Sequence, residues 1–168
     1  KDIIDFISDK QNWIRSRKTI GFREVVTIPG IGDIISKFDT GNGALSCSLT
    51  YDEAKLADDK KMVDWELGGK KFSSKVIGFS NAEVGHVVQE RPIITMDVSF
   101  AGKTYKDVHI SLVDRKEKST KFLVNRKFME RIGCAVSPSK TFVVSSFDGE
   151  YSVGEAKGNN HIGIKFEK

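Results

Sequence analysis

The chain has 168 residues, of which 39% are apolar and 30% charged, with three prolines and fifteen glycines. That length makes one domain with a core that needs no disulfides, and the composition excludes disordered, collagenous and low-complexity classes. Lys and Arg outnumber Asp and Glu by 27 to 23, a net charge of +4, a mild excess that makes nucleic acid an unlikely partner and suits an acidic peptide.

In chain order, residues 1–18 read as a helix, with Ile3, Phe6, Ile7, Trp13 and Ile14 near one face at helical spacing. Gly21 interrupts this pattern, and from Phe22 strand logic takes over. Val25, Val26 and Ile28 lead into the turn signal Pro29-Gly30-Ile31-Gly32-Asp33, and a second strand is expected over 34–38. Residues 52–60 read as a short helix. Strands at 62–67 and 70–79 flank Gly68-Gly69, a two-residue hairpin signal. Strands at 92–100 and 104–113 flank Ala101-Gly102-Lys103, a second hairpin. A helix over 125–132 closes on Gly133 as its C-cap. Strands are expected at 141–147 and 161–166, with a glycine-containing loop or hinge over 148–160 between them. There is no βαβ rhythm and no internal repeat.

Several chemistries lack their residues. HExxH, CxxC and the P-loop pattern are absent, and His86, His109 and His161 lie in separate segments without metal-ligand spacing. No metal and no cofactor are expected. Cys47 and Cys134 read as buried small hydrophobes in a reducing compartment, the cytoplasm of a cell or of a virus-infected host. No apolar run approaches the roughly 18 residues that span a bilayer, so no membrane association is expected. The sequence begins at Lys1 and not at Met, which reads as a processed product or a fragment. The Arg115-Lys116 and Arg126-Lys127 clusters lack the interleaved aromatics of a nucleic-acid platform.

One segment does carry chemistry. The apolar strand ending at Phe38 runs directly into Asp39-Thr40-Gly41, followed by small residues through Ala44. Such a strand end presents a carboxylate on a tight turn, with Gly41 allowing close backbone approach and the Thr40 hydroxyl able to lock the turn. Further along, Phe122-Leu123-Val124-Asn125-Arg126 places an apolar pair before a short helix.

These two features resemble the retropepsin-like aspartic proteases. The resemblance is strongest to the bacterial and phage branch labelled ATP-dependent zinc proteases. It spans 21–144 and adds Arg23-Glu24-Val25-Val26, Pro29, Glu90-Arg91-Pro92-Ile93 and Leu112-Val113-Asp114-Arg115. No zinc ligand set accompanies it. The resemblance implies an all-β fold, a retropepsin-like closed β-barrel over 21–147. An N-terminal helical extension over 1–20 and a short helix near the C-terminal end flank it, and a loop and terminal strand follow over 148–168.

The resemblance further implies Asp39, Thr40 and Gly41 as the catalytic turn, supported by Val124, Asn125 and Arg126. The family has Gly where Asn125 stands. Its Arg pairs with an Asp at the position held here by Gly43, so Arg126 lacks that partner and Asp114-Arg115 is an alternative pair. A flap hairpin within 72–88, with Gly78, Phe79 and Gly85, would close on substrate, joined by Arg91. Some members of the branch trim acidic, glutamate-rich tails, which Arg91, Arg115 and Arg126 could meet.

Aspartic-protease chemistry needs two carboxylates sharing one proton, and the chain has one Asp-Thr-Gly. A catalytic site would therefore form only in a homodimer, one Asp39 from each protomer, with the terminal strand at 161–166 as a candidate for an intersubunit sheet. The expected function is a homodimeric aspartic endopeptidase that activates water and hydrolyses peptide bonds in a peptide or protein substrate. Its alternative is a non-catalytic peptide-binding or scaffold dimer of the same fold.

Overall fold

A computed structural model describes residues 3–4, 18–151 and 161–168. The expected N-terminal helix and most of the loop over 148–160 fall outside these residues. The described residues are mostly strand: β1 (Lys18–Ile28), β2 (Gly32–Phe38), β3 (Cys47–Leu49), β4 (Glu53–Leu56), β5 (Met62–Leu67), β6 (Lys70–Lys75), β7 (Gly78–Val84), β8 (Val87–Phe100), β9 (Lys103–Leu112), β10 (Phe122–Val124), β11 (Cys134–Thr141) and β12 (Ile164–Phe166). One helix, α1 (Arg126–Ile132), lies between β10 and β11. No helix among the described residues is long and apolar enough to cross a membrane.

The strands form two sheets. The larger runs β11-β1-β2-β10-β3-β9-β8-β7, with β12 also paired to β2, and it curls until β8 meets β1 at Ser99 and Thr27. The smaller sheet is β4-β5-β6. On β5, Val63, Trp65 and Leu67 are buried while Met62 and Asp64 are exposed, the period-2 pattern of a strand with one covered face. Those three side chains join the same core as Ile28, Ile34, Ile94, Ile110 and Phe122 of the larger sheet, so the two sheets share one hydrophobic interior. Gly68 and Gly69, with φ of 60° and 79°, make the β5–β6 turn, and Ala101 and Gly102, at 50° and 81°, make the β8–β9 turn. Both are two-residue hairpins whose positive φ values match the strand twist.

The topology that matters most lies at β2, β10 and β3. β2 and β3 are successive strands, yet they do not pair; β10 lies between them, parallel to β2 and antiparallel to β3. The 39–46 connection therefore crosses the end of β10. Helix α1 follows at once, capped by Asn125 and closed by Gly133 at φ 74°, and it docks through Phe128, whose ring meets Tyr105 edge-on at 5.3 Å. Burying such a ring is worth about 2–3 kcal/mol.

Several expectations need correction. The 52–60 segment is not helical: its middle is β4, paired in register with β5. The 70–79 strand is two strands in different sheets, β6 and β7, separated at Val76-Ile77. Gly21 does not end a helix; it lies inside β1, where the register to β11 shifts between Gly21 and Arg23. The 141–147 segment is irregular after Thr141, and the strand is β11 before it. The terminal strand pairs with its own chain's β2, Ile164 opposite Ile34 and Phe166 opposite Gly32.

Candidate active site

Asp39 is the first residue past β2 and is half-buried, while Thr40 and Gly41 are exposed. Its backbone N–H donates to Val124 O at 3.0 Å, which ties the turn to the end of β10. Oδ1 of its carboxylate accepts the Gly41 N–H at 3.0 Å, and Asn42 N–H donates to the Asp39 carbonyl at 3.0 Å. The carboxylate is thus held through Oδ1 by the turn it begins. The Thr40 hydroxyl makes no hydrogen bond among the described residues, so it does not lock its own turn. Thr40 borders a hollow of about 360 Å³ shared with Arg126, Met129 and Cys134.

Val124, Asn125 and Arg126 come together beneath this turn. Asn125, 1% exposed, uses its whole side chain. Oδ1 caps α1 by accepting Phe128 N–H at 3.2 Å and receives Cys47 Sγ–H at 3.5 Å. Its Nδ2 donates to the Ala44 carbonyl. The Asn side chain therefore fastens the 44–47 part of the loop to the start of the helix, which glycine at this position could not do. Arg126 N–H donates to Asn42 O at 3.0 Å. Its guanidinium lies over Gly43, where a Cβ would come 2.5 Å from Nη2. The arginine occupies the space beside position 43 although no carboxylate is there.

The four residues assigned to substrate binding share one hairpin, β7–β8. Gly78 stands opposite Ile93, Phe79 opposite Pro92 and Ser80 opposite Arg91, with Gly85 at the tip at φ 66°. The expected hairpin begins at Phe72, but Phe72 belongs to β6 of the smaller sheet, stacked on Trp65 at 4.3 Å. The hairpin's tip exposes Val84, Val87 and Val88, each 51–65% accessible. At its base, Ser80 Oγ lies 3.0 Å from Ser111 Oγ, which lies 2.6 Å from Ser46 Oγ. This chain of hydroxyls links the hairpin to the Asp39 loop across β9. Nothing in the sequence marks these serines, because their proximity comes from strands far apart in the chain.

Arg115 does not pair with Asp114. Its guanidinium donates to Thr120 O at 3.0 Å and to Thr120 Oγ1 at 3.3 Å, and its backbone N–H to Thr50 Oγ1 at 3.1 Å. Asp114 instead receives Lys116 N–H. Burial draws the Arg115 pKa down to about 10, Arg91 adding to that and the Asp39 carboxylate opposing it. Arg115 thus feels the charges of both Arg91 and Asp39. The 115–118 loop is shaped from within by Lys121, 2% exposed, whose ammonium donates to the carbonyls of Lys116 and Lys118 at 2.6 and 3.2 Å. Around Asp39 the side chains are Thr, Asn and Arg, a set that does not fit zinc, which takes His, Cys or several carboxylates.

A comparison with protein-family models finds no match to this sequence, and one with curated proteins finds none either. Among solved structures, the chain is similar to Lpg0085, a protein of unknown function (DUF785) from Legionella pneumophila. The identity is 20% and the TM-score 0.60, over 77% of this chain and 100% of the other. At that identity the likeness speaks for the fold alone.

Proposed function

We propose that the chain is a retropepsin-like aspartic endopeptidase that works as a homodimer. The observation that carries this reading is the Asp39 turn itself: a half-buried carboxylate at a strand end, accepting Gly41 N–H, on a backbone whose Asp39 N–H donates to Val124 O, in a loop that crosses β10. The β1–β8 contact, by which the large sheet returns on itself, supports the barrel of that family. Asn125 braces the loop by its own amide, so the replacement of the family's Gly is compatible with an intact site.

In the dimer, the two Asp39 carboxylates share one proton, since two such groups about 3 Å apart do not both ionise. The ionised one takes a proton from water, and the protonated one polarises the scissile carbonyl. Water adds to the carbonyl carbon, the tetrahedral diol collapses, and the C–N bond breaks as the amine receives a proton from the dyad. Thr40, with its hydroxyl unengaged among the described residues, would bond to the partner's turn. The β7–β8 hairpin closes over the peptide and excludes water. Arg91 and Arg115 favour acidic side chains beside the cleavage point.

The test incubates the full chain with peptides bearing glutamate-rich tails, from pH 4 to 8, with and without a chelator, and reads products by mass spectrometry. Cleavage that survives chelation and falls at least about a thousandfold in Asp39→Asn is the expected result, the scale on which loss of a reacting group acts. Specific activity should also fall on dilution as the dimer dissociates. Full activity in Asp39→Asn would overturn the reading. A dimer that binds these peptides and cleaves none would establish the non-catalytic alternative.

A further inference from the structure

Beside the Asp39 region lies a groove of about 720 Å³, walled on one side by β4 and β5 and on the other by the β7–β8 hairpin. Ala54, Leu56, Val63 and Pro92 give it apolar walls, and Arg91 joins it to the charge cluster around Asp39. Lys60 of the β4–β5 turn and Glu90 of β8 bridge the walls at 3.1 Å. The volume exceeds that of any one side chain and suits a short run of extended peptide.

The wall formed by β4 is an unfinished sheet. β4 is the end strand of the smaller sheet and pairs with β5 alone. Ala57 N–H donates to Met62 O at 2.9 Å, and the register continues as Leu56 opposite Val63, Lys55 opposite Asp64 and Ala54 opposite Trp65. In an antiparallel ladder, bonded and non-bonded pairs alternate. Lys55 therefore spends its backbone groups on β5, and Ala54 and Leu56 turn theirs toward the open edge. Among the described residues nothing pairs with them. The same two residues line the groove. Two N–H and two C=O groups thus lie on the open edge of a strand that walls a peptide-sized, apolar-lined groove.

We propose that this groove binds an extended segment of the peptide substrate as an added antiparallel or parallel strand on β4, with an apolar side chain of that segment against Leu56, Val63 and Pro92. Backbone bonds to Ala54 and Leu56 hold the strand, and the apolar pocket selects its sequence. The inference rests on the proposed peptidase reading for the identity of the ligand, and it adds a specificity determinant outside the Asp39 turn: an apolar residue at a distance from the acidic residues that Arg91 and Arg115 favour.

The test uses the full-length Asp39→Asn chain, so that turnover plays no part. The probe is the acetylated and amidated pentapeptide Thr-Val-Ile-Val-Thr, followed by amide chemical shifts in NMR. Binding should move the amide signals of Ala54 and Leu56 and slow their hydrogen exchange. A probe N-methylated at its Val and Ile amides should bind at least tenfold more weakly, as should the parent probe to Ala54→Pro, a substitution an edge strand tolerates. Leu56→Lys should reverse the preference for apolar over acidic probes. Binding that leaves Ala54 and Leu56 unmoved, equal affinity for the methylated probe, or no binding to the folded chain each overturns the proposal. If the unsubstituted protein then still cleaves peptides, the peptidase reading stands without this groove. If the probe binds on β4 but Asp39→Asn proves as active as the parent, the groove stands and the assignment of Asp39 falls.

Discussion

Asn125 shows how one buried side chain can brace a loop and cap a helix at once. Removing it orphans the Ala44 carbonyl and uncaps α1, each a loss of about 1 kcal/mol or more in a buried setting. Asn125→Ala should therefore lower stability by about 2–3 kcal/mol in urea unfolding, and Asn125→Asp, which keeps the cap but sets a buried carboxylate oxygen against the Ala44 carbonyl, by at least as much. Position 43 behaves differently. A Cβ there meets only the far end of the Arg126 side chain, so Gly43→Asp should be accepted within about 1 kcal/mol and give the guanidinium a carboxylate partner. Cys47 is closed off: burial pushes its thiol up to about 12, with a hydrogen bond from the Asn125 backbone opposing. Iodoacetamide at pH 8 should leave Cys47 intact in the native protein and modify it in guanidinium. Local features set by near neighbours in the chain, such as the Asp39-Thr40-Gly41 turn after β2 and the short helix closed by Gly133, are legible from sequence. Ser46, Ser80 and Ser111 are not, because a hydroxyl chain across three strands leaves no local pattern.

At the scale of elements, the differences between expectation and structure share one cause. The 52–60 segment is polar and rich in good helix formers, and propensity favours a helix; pairing with β5 overrides it, and the open edge of β4 leaves its side chains exposed enough to stay polar. β11 escapes a reading by sequence because Pro138 and two serines weaken its strand signal, and only its pairing with β1 makes it a strand. What binds the C-terminal portion to the rest is likewise not local. Glu24, fully buried, accepts Gly21 N–H at 2.6 Å, Val143 N–H at 2.9 Å, Val144 N–H at 3.2 Å and Ser145 Oγ–H at 2.7 Å. Glu24→Ala leaves four buried donors without their acceptor and should cost about 3–5 kcal/mol. β12 depends on a tight passage: a Cβ on Gly68, whose φ is +60°, would fall 2.2 Å from the Phe166 ring. Gly68→Ala should undock β12 and open 161–168 to limited proteolysis while the rest of the chain stays protected.

At the scale of the whole molecule, the fold class is readable from strand periodicity, but the order of strands is not. Sequence distance says nothing of β10 lying between β2 and β3, which is the arrangement that sets the Asp39 turn. One small cluster then joins the parts of the molecule. Asp52 stands between β3 and β4; its carboxylate lies 2.9 Å from His161 Nε2, just before β12, and accepts Gly68 N–H at 2.7 Å from the β5–β6 turn. The Asp52 carbonyl takes Lys116 Nζ at 3.1 Å from the loop after β9. Burial raises the carboxyl's pKa, but the His161 and Gly68 hydrogen bonds, together with the charges of His161 and Lys116, outweigh it and leave it lowered. A group whose folded pKa lies below its unfolded one, near 3.9, binds more protons when unfolded. Its contribution is therefore complete above pH of about 5 and disappears as pH falls through the folded value. Stability measured by urea unfolding should decline from about pH 5 downward, and Asp52→Asn, less stable at pH 7, should show a shallower decline over the same window. An equal slope in the two proteins would place the acid sensitivity elsewhere. Protonating Asp52 first loosens its hold on His161 and on the β5–β6 turn. Acid below the ordinary carboxylate range should therefore expose 161–168 to protease before β1 and β2 yield, which separates this cluster from a general collapse of the core.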